Sequence, residues 1–391
     1  MNYRIPLSQP SITALEVACV TDAVESGWVS SRGEYIDRFE ETFADYCGTK
    51  HALTTSSGTT AIHLALLAYG IEPGDEVIVP DMTFIATANA VTYTGAKPVF
   101  VDVDRDTLCL DVTKVAQAIT PKTKAIIAVH LYGHPANIPA LKAITRRHNI
   151  VVIEDAAEAH GASINGIRTG ALGDCGVFSF YGNKIVTCGE GGMITTNDTA
   201  LYERAKHLRS QAMSPTQRYW HTDIGFNYRM TNLQAALGFA QMTRIDEFIE
   251  KKKEIFAQYQ RYLAPYADIK LNRTAPWAEN VYWQVCMEVD GWTRCDGIVT
   301  PSEYRDQFML ALAKHGIDTR PYFYPISDMP MYKAEAIHPT PVAHKISQQG
   351  LNLPSYFEMT TPEIKSVCSV IVGCLQRNIV SNRRADFKSQ R

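Results

Sequence analysis

The sequence lacks the features that would place it among nucleic-acid-binding, membrane-spanning or disulfide-built proteins. Lysine and arginine do not outnumber the acids: 38 against 41 leaves a net charge of −3. No basic excess exists to neutralise a run of phosphates, so nucleic acid is not an expected partner. The longer apolar stretches, 61–68 and 125–129, are too short or too interrupted to cross a bilayer, and no membrane association is expected. No apolar run precedes the first proline, Pro6, so no signal peptide is read there. The nine cysteines form no CxxC pair and no zinc spacing, which fits free thiols in a reducing cytoplasm. No internal repeat is present. No GxGxxG follows the first strand and no GxxxxGK[ST] occurs, which argues against a nicotinamide-dependent sugar dehydratase or reductase and against a P-loop. What remains is a small-molecule enzyme of 391 residues, long enough for two or three domains.

The first 200 residues alternate between two periods. β-branched runs at 51–55, 76–79, 98–103, 125–130, 151–154 and 176–180 are separated by helical spacing at 59–68, 85–93, 112–119 and 138–148. That alternation predicts βαβ units, hence an α/β fold with a mainly parallel sheet. One long charged helix is expected over 232–263, its middle bridging two domains, with Lys251, Lys252 and Lys253 on a solvated face. Beyond it, a strand at 280–289, a helix at 303–315, a proline- and aromatic-rich loop at 320–332 and a last helix at 361–377 predict a smaller α+β domain. The expected division is 1–245 and 246–391, the latter ending in a frayed basic tail from Asn382.

Three segments carry candidate chemistry. Thr54-Thr-Ser-Ser-Gly-Thr-Thr-Ala61 lies where a strand gives way to an apolar helix. Unpaired N–H groups at a helix N-terminus suit a phosphate, although a serine or threonine there also serves as a plain N-cap. Val151-Val-Ile-Glu-Asp155 runs a buried-type strand into two carboxylates at its carboxyl end, where open α/β sheets hold their ligands. A buried Asp155 needs a positive partner, either a protein cation or a protonated ligand nitrogen. Gly176-Val-Phe-Ser-Phe-Tyr-Gly-Asn-Lys184 ends a strand in a turn with a single lysine, and a partly desolvated amine is a competent Schiff-base nucleophile. Phosphate turn, strand-end aspartate and turn lysine, in that order, are what a pyridoxal phosphate site requires. Phe84, in Asp81-Met-Thr-Phe-Ile-Ala-Thr87, is placed to stack on the ring. His130 and His134 are read as packing and not as a metal pair, and His160 as a core histidine.

With these stretches, together with Gly74-Asp-Glu-Val77, Val129-His-Leu-Tyr-Gly133, Gly189-Glu-Gly-Gly192 and Asn227-Tyr-Arg-Met-Thr-Asn232, nearly the whole chain resembles the DegT-like sugar-nucleotide aminotransferases. The resemblance implies the PLP-dependent aminotransferase fold type I: a large mainly parallel-sheet domain plus a smaller C-terminal α+β domain. It implies pyridoxal 5′-phosphate as cofactor, with Lys184 as the Schiff-base lysine, Asp155 beside the pyridine nitrogen and Glu158 on the ring hydroxyl, where many relatives carry glutamine. Phe84 would stack on the ring. Ser57, Gly58, Thr59 and Ser179 would hold the phosphate, joined by Asn227 of a second chain in a homodimer with shared sites. The dehydratase branch carries histidine in place of the lysine, so Lys184 favours transamination.

The implied partners are glutamate and a nucleotide-linked 4-keto sugar, in a cytoplasmic step of lipopolysaccharide O-antigen biosynthesis. Trp28-Val-Ser-Ser31, Tyr219-Trp-His221, Arg320-Pro-Tyr-Phe-Tyr-Pro325, Met329-Pro-Met-Tyr332 and Gly350-Leu-Asn-Leu-Pro354 resemble the branch acting on GDP-4-keto-6-deoxymannose. Trp28, Ser30, Arg32, Tyr219, His221, Arg320 and Tyr322 are the expected substrate contacts. A dTDP- or UDP-linked sugar is the alternative substrate, and a non-catalytic PLP-binding regulator the alternative class. Departures from the family pattern are an insertion at 290–300 and the basic tail.

Overall fold

The computed structural model describes residues 3–289 and 300–386. Its strands, in chain order, are β1 (His51–Thr55), β2 (Glu76–Pro80), β3 (Lys97–Val101), β4 (Thr123–Val129), β5 (Val151–Asp155), β6 (Ser163–Ile164), β7 (Ile167–Arg168), β8 (Cys175–Ser179), β9 (Gly192–Thr196), β10 (Ile269–Leu271), β11 (Ala278–Glu279), β12 (Val285–Val289), β13 (Arg320–Pro321) and β14 (Gly350–Leu353).

Seven strands form the main sheet, ordered β1-β9-β8-β5-β4-β2-β3. Pairing is parallel from β3 through β2, β4 and β5 to β8, and β9 runs antiparallel to both β8 and β1. Six strands therefore point one way and only β9 is reversed. Buried apolar clusters lie on both faces, one around Phe39, Phe43, Phe178 and Phe180, the other around Leu64, Val79, Phe100 and Ile127. Burial on both sides accounts for the near-continuous apolar strands. The carboxyl ends of β1, β5 and β8 thus share one edge, which collects Thr55, Asp155 and Ser179.

A four-stranded sheet, β10-β12-β14-β13, sits on its own cluster with Ile255, Tyr259, Phe308 and Ile371. Ile5 packs there too and bridges to Ile317. Two buried aspartates tie this part to the main sheet. Asp81, just past β2, accepts from the Ser327 backbone at 2.8 Å and the Ser327 hydroxyl at 2.7 Å. Asp102, just past β3, accepts from the first two N–H groups of helix Pro341–Ser347 other than proline's, at Val342 and Ala343. Both use the unpaired donors of turns and helix starts.

Four expectations need correction. The long helix over 232–263 is two helices, Asn232–Met242 and Ile245–Leu263. Arg244 leaves the ladder at φ −114°, ψ 6°, and its guanidinium bonds Glu16 at 2.8 Å and Ser11. The second helix starts in the large cluster and ends in the small one. The strand expected over 280–289 begins only at Val285. Residues 280–284 bend over Gly133, whose carbonyl accepts from Val281, and Tyr282 adopts φ +50°. Lys252 is not on a solvated face: it is buried and donates to the carbonyl of Trp283 at 2.9 Å, the hydroxyl of Ser355 at 3.1 Å and the carbonyl of Ser355. The last helix, expected over 361–377 with a frayed tail from Asn382, runs on to Asp386. Residues 290–299 of the insertion expected at 290–300, and the tail from 387, lie outside the described residues.

Burial pushes the Lys252 pKa down to about 7, whereas the unfolded chain keeps that proton to near pH 10. Between those values the unfolded state binds more protons, so the penalty is full below pH 7 and fades as pH rises. The stability of the wild type relative to Lys252→Met is expected to rise between pH 6 and 9, by at most about 1.4 kcal/mol per pH unit. Urea midpoints at four pH values check this.

Candidate active site

The turn after β1 is built as an anion seat. Ser57 caps helix Gly58–Ala68, its hydroxyl accepting from the Thr60 N–H, and Thr60 returns the bond to the Ser57 N–H. That box satisfies the N–H of Thr60 and leaves those of Gly58 and Thr59 free of intrahelical partners. Gly58 faces Ser179 so closely that a Cβ would lie 2.8 Å from the serine Cβ. Gly192 similarly meets the Ser57 carbonyl at 2.4 Å from an added Cβ. Two glycines, one hydroxyl and a helix N-terminus therefore come together beside β8, a set of groups suited to a phosphate.

Asp155 is buried at the end of β5, and its bonds are to neutral donors: the Thr87 hydroxyl at 2.8 Å and the Ala157 N–H at 3.3 Å. No lysine or arginine forms an ion pair with it among the described residues. Burial raises its pKa, with Thr87, Ala157 and the more distant Lys184 opposing. A carboxylate kept in a dry place without a protein cation is what a protonated ring nitrogen would complete. Glu154, its neighbour, faces the other side, accepting from His130 at 2.9 Å and from the backbone of Gly170, Leu172 and Gly173. His130 takes the Ala136 N–H on its other nitrogen, and His134 takes the Ala275 N–H. Both histidines are structural.

Lys184 Nζ lies 3.4 Å from Glu158 Oε1, and the other Glu158 oxygen accepts from the Tyr132 N–H at 3.0 Å. Burial raises the Glu158 pKa, and Lys184 and the Tyr132 N–H oppose it. His160 is enclosed by Phe43, Phe178 and Phe180, and burial pushes its pKa down to about 3. Phe84 keeps 55% of its surface open at the mouth of this edge, its ring 5.9 Å from that of Phe323. Glu158, Lys184, Asp155, Ser179 and Gly58 therefore gather along one sheet edge, and these residues fit pyridoxal phosphate: seat, carboxylate and amine.

The expected substrate contacts divide. Trp28 and Ser30 are fixed by Asn232, which donates to both carbonyls, at 2.7 and 2.6 Å. Trp28 is 56% exposed and Arg32 is exposed. Tyr219, at φ +65° and 76% exposed, and His221, bonded to the Gln211 carbonyl at 2.7 Å, lie on one open loop. Asn227 bridges to Ser210, is exposed, and has its side-chain carbonyl oxygen held by Arg229. Arg320 is exposed beside Asp318. Tyr322 is a correction: it is 2% exposed, packed against Tyr132 and Gly350, where a Cβ would strike its ring. Tyr322 follows β13 directly, and its N–H donates to the Gly350 carbonyl at 3.0 Å, which holds its ring against that glycine. Thr87, Tyr132 and Trp283 were not predicted as site residues. Thr87 closes the segment that carries Phe84, whereas nothing local marks Trp283.

Fold and site together define an aminotransferase of fold type I that works with pyridoxal phosphate. The profile of the DegT/DnrJ/EryC1/StrS aminotransferase family matches residues 10–372, and the chain belongs to that family. It is 45% identical over 369 residues to a GDP-perosamine synthase of Caulobacter vibrioides, covering 94% of this chain and 97% of that one. A GDP-perosamine synthase of Escherichia coli O157:H7 is 42% identical, at 95% and 98% coverage. Among solved structures, Spr1654 of Streptococcus pneumoniae in its PLP form superposes with a TM-score of 0.88 at 27% identity, covering 96% of this chain and 99% of that one.

Borohydride reduction of the yellow holoenzyme is expected to fix a pyridoxyl group on Lys184, read by peptide mass spectrometry; a label elsewhere would refute the assignment. Asp155→Asn should keep the fold by circular dichroism and lose on the order of 10²-fold or more in turnover, because a neutral amide no longer favours ring protonation.

Proposed function

We propose that the protein transfers an amino group from glutamate to C4 of GDP-4-keto-6-deoxymannose, giving GDP-perosamine. The observation that carries the substrate is the 45% identity across 94% of the chain to a protein of that name. The presence of a lysine at position 184, in reach of Glu158, supports transamination over dehydration. Pyridoxal phosphate, when bound, supplies an electron sink on which the amino group is carried. Lys184, on a side chain largely shielded from water, would be the group that takes up and returns the proton at its Nζ. Asp155 holds the ring nitrogen protonated, and Thr87 fixes that carboxylate. Glu158 and Phe84 orient the ring, and Gly58, Thr59 and Ser179 hold its phosphate.

Two chains complete each site in this reading. Asn227 is exposed, and Trp28, Tyr219, Trp220 and Ile224 are large apolar side chains left open, as a partner chain would cover. The substrate diphosphate meets Arg32, Arg218 or Arg320, whose forked donors match it.

Mass spectrometry of products from a panel of 4-keto-6-deoxy sugar nucleotides tests the substrate. The GDP sugar should exceed its dTDP and UDP counterparts in kcat/KM, because a site that bonds the guanine amine and ring N–H leaves its acceptors unpaired with a pyrimidine. Comparable turnover of the dTDP sugar would overturn the nucleotide assignment and leave the aminotransferase standing. For the shared site, Asn227→Ala and Lys184→Ala chains, each impaired alone, should regain activity when mixed and re-equilibrated. Full activity of an isolated monomer would refute sharing.

A further inference from the structure

Lys184 has a second neighbour besides Glu158. Its Nζ sits 4.1 Å from the centre of the Trp283 ring. An ammonium over an indole face is attracted by the ring's negative quadrupole, and tryptophan provides the strongest such face. The amine is therefore held between a carboxylate at 3.4 Å and an aromatic plane at 4.1 Å, on a side chain only 12% exposed.

The indole is fixed from several directions. Its Nε1–H donates to the Asn183 carbonyl at 2.8 Å, so the ring is tethered to the residue before the lysine it faces. It lies nearly parallel to Tyr132, at 15° and 6.4 Å between centres. The Trp283 carbonyl is held by buried Lys252 at 2.9 Å. Its backbone lies so close to Gly133 that a Cβ there would approach the Trp283 nitrogen to 2.7 Å. The preceding Tyr282 stacks on Phe256 at 3.9 Å. A ring so constrained is not a gap-filler that happens to touch a lysine.

We propose that Trp283, with Glu158, forms a holding site for the Lys184 ammonium, filled whenever that amine is not joined to the cofactor. This rests on Lys184 being the reacting lysine. When the amino group resides on the cofactor, a lysine side chain with four rotatable bonds would otherwise sample many positions. The holding site keeps it beside the ring and ready to return. Trp283 is thus a positioning residue. It holds the charged amine more strongly than the neutral one, because the ring's quadrupole attracts a full positive charge more than an N–H dipole.

The test uses the full-length protein loaded with pyridoxamine phosphate, in which Lys184 is free. Acetylation by an N-acetoxysuccinimide pulse at fixed pH, read lysine by lysine by mass spectrometry, should be slow at Lys184 in the wild type. Trp283→Leu should acetylate there about 3- to 30-fold faster, the range that cation–π attraction spans. Trp283→Phe keeps an aromatic face and should remain within a few-fold of the wild type. An unchanged rate in Trp283→Leu overturns the proposal, as does a parallel rise at Lys252, which would report loosened packing in place of lost holding. The underlying assignment is checked separately by the same pulse on the wild-type pyridoxal phosphate form. There Lys184 must be blocked, and equal labelling in both forms would remove the lysine assignment itself.

Discussion

A carboxylate buried at the end of a β-strand and ion-paired with no lysine or arginine among the described residues is the constraint on which the site is organised. Asp155 is placed there by β5, and its dry surroundings make the charged form costly until a positive group arrives. Thr87 offers one hydroxyl and Ala157 one N–H, enough to orient the group but not to neutralise it. The phosphate seat and the lysine are each ordinary features of a parallel sheet's carboxyl edge. Their conjunction with an unneutralised acid makes that edge selective for a molecule that is anionic at one end and cationic in its ring.

The reversed strand β9 has a share in this arrangement. Because it returns between β8 and β1, its first residue, Gly192, abuts the Ser57 carbonyl, and the chain after the turn lysine re-enters the sheet instead of departing into a crossover helix. The glycine-rich turn at 189–192 makes that sharp return feasible.

Most of the main sheet was legible in the sequence because its strands are buried on both faces and appear as β-branched runs of the right length, as at 76–79 and 151–154. The order of phosphate turn, aspartate and lysine was equally visible, since each sits where a strand run stops. Tertiary demands erased the signal elsewhere. Arg244 breaks a helical pattern to reach Glu16, a partner more than 200 residues away that no window can see. Lys252 stands in a run of three lysines, yet faces inward because two backbone carbonyls there need a donor. Tyr322 and its neighbours are one aromatic string in sequence, and only the sheet decides which ring is buried and which is open.

The two strand-end aspartates have a practical meaning for anyone recombining this enzyme with its relatives. Asp81 and Asp102 hold residues 326–327, 340 and 342–343 from the far side of the chain. A chimera that exchanges the C-terminal third as a cassette keeps the two acids and the backbone donors, but where it replaces Ser327 and Thr340 it removes the two hydroxyls that bond the buried Asp81 carboxylate. The heritable unit for grafting a new sugar preference is therefore discontinuous: the aspartate turns after β2 and β3 must travel with the segment they hold, however far apart the two lie in the gene.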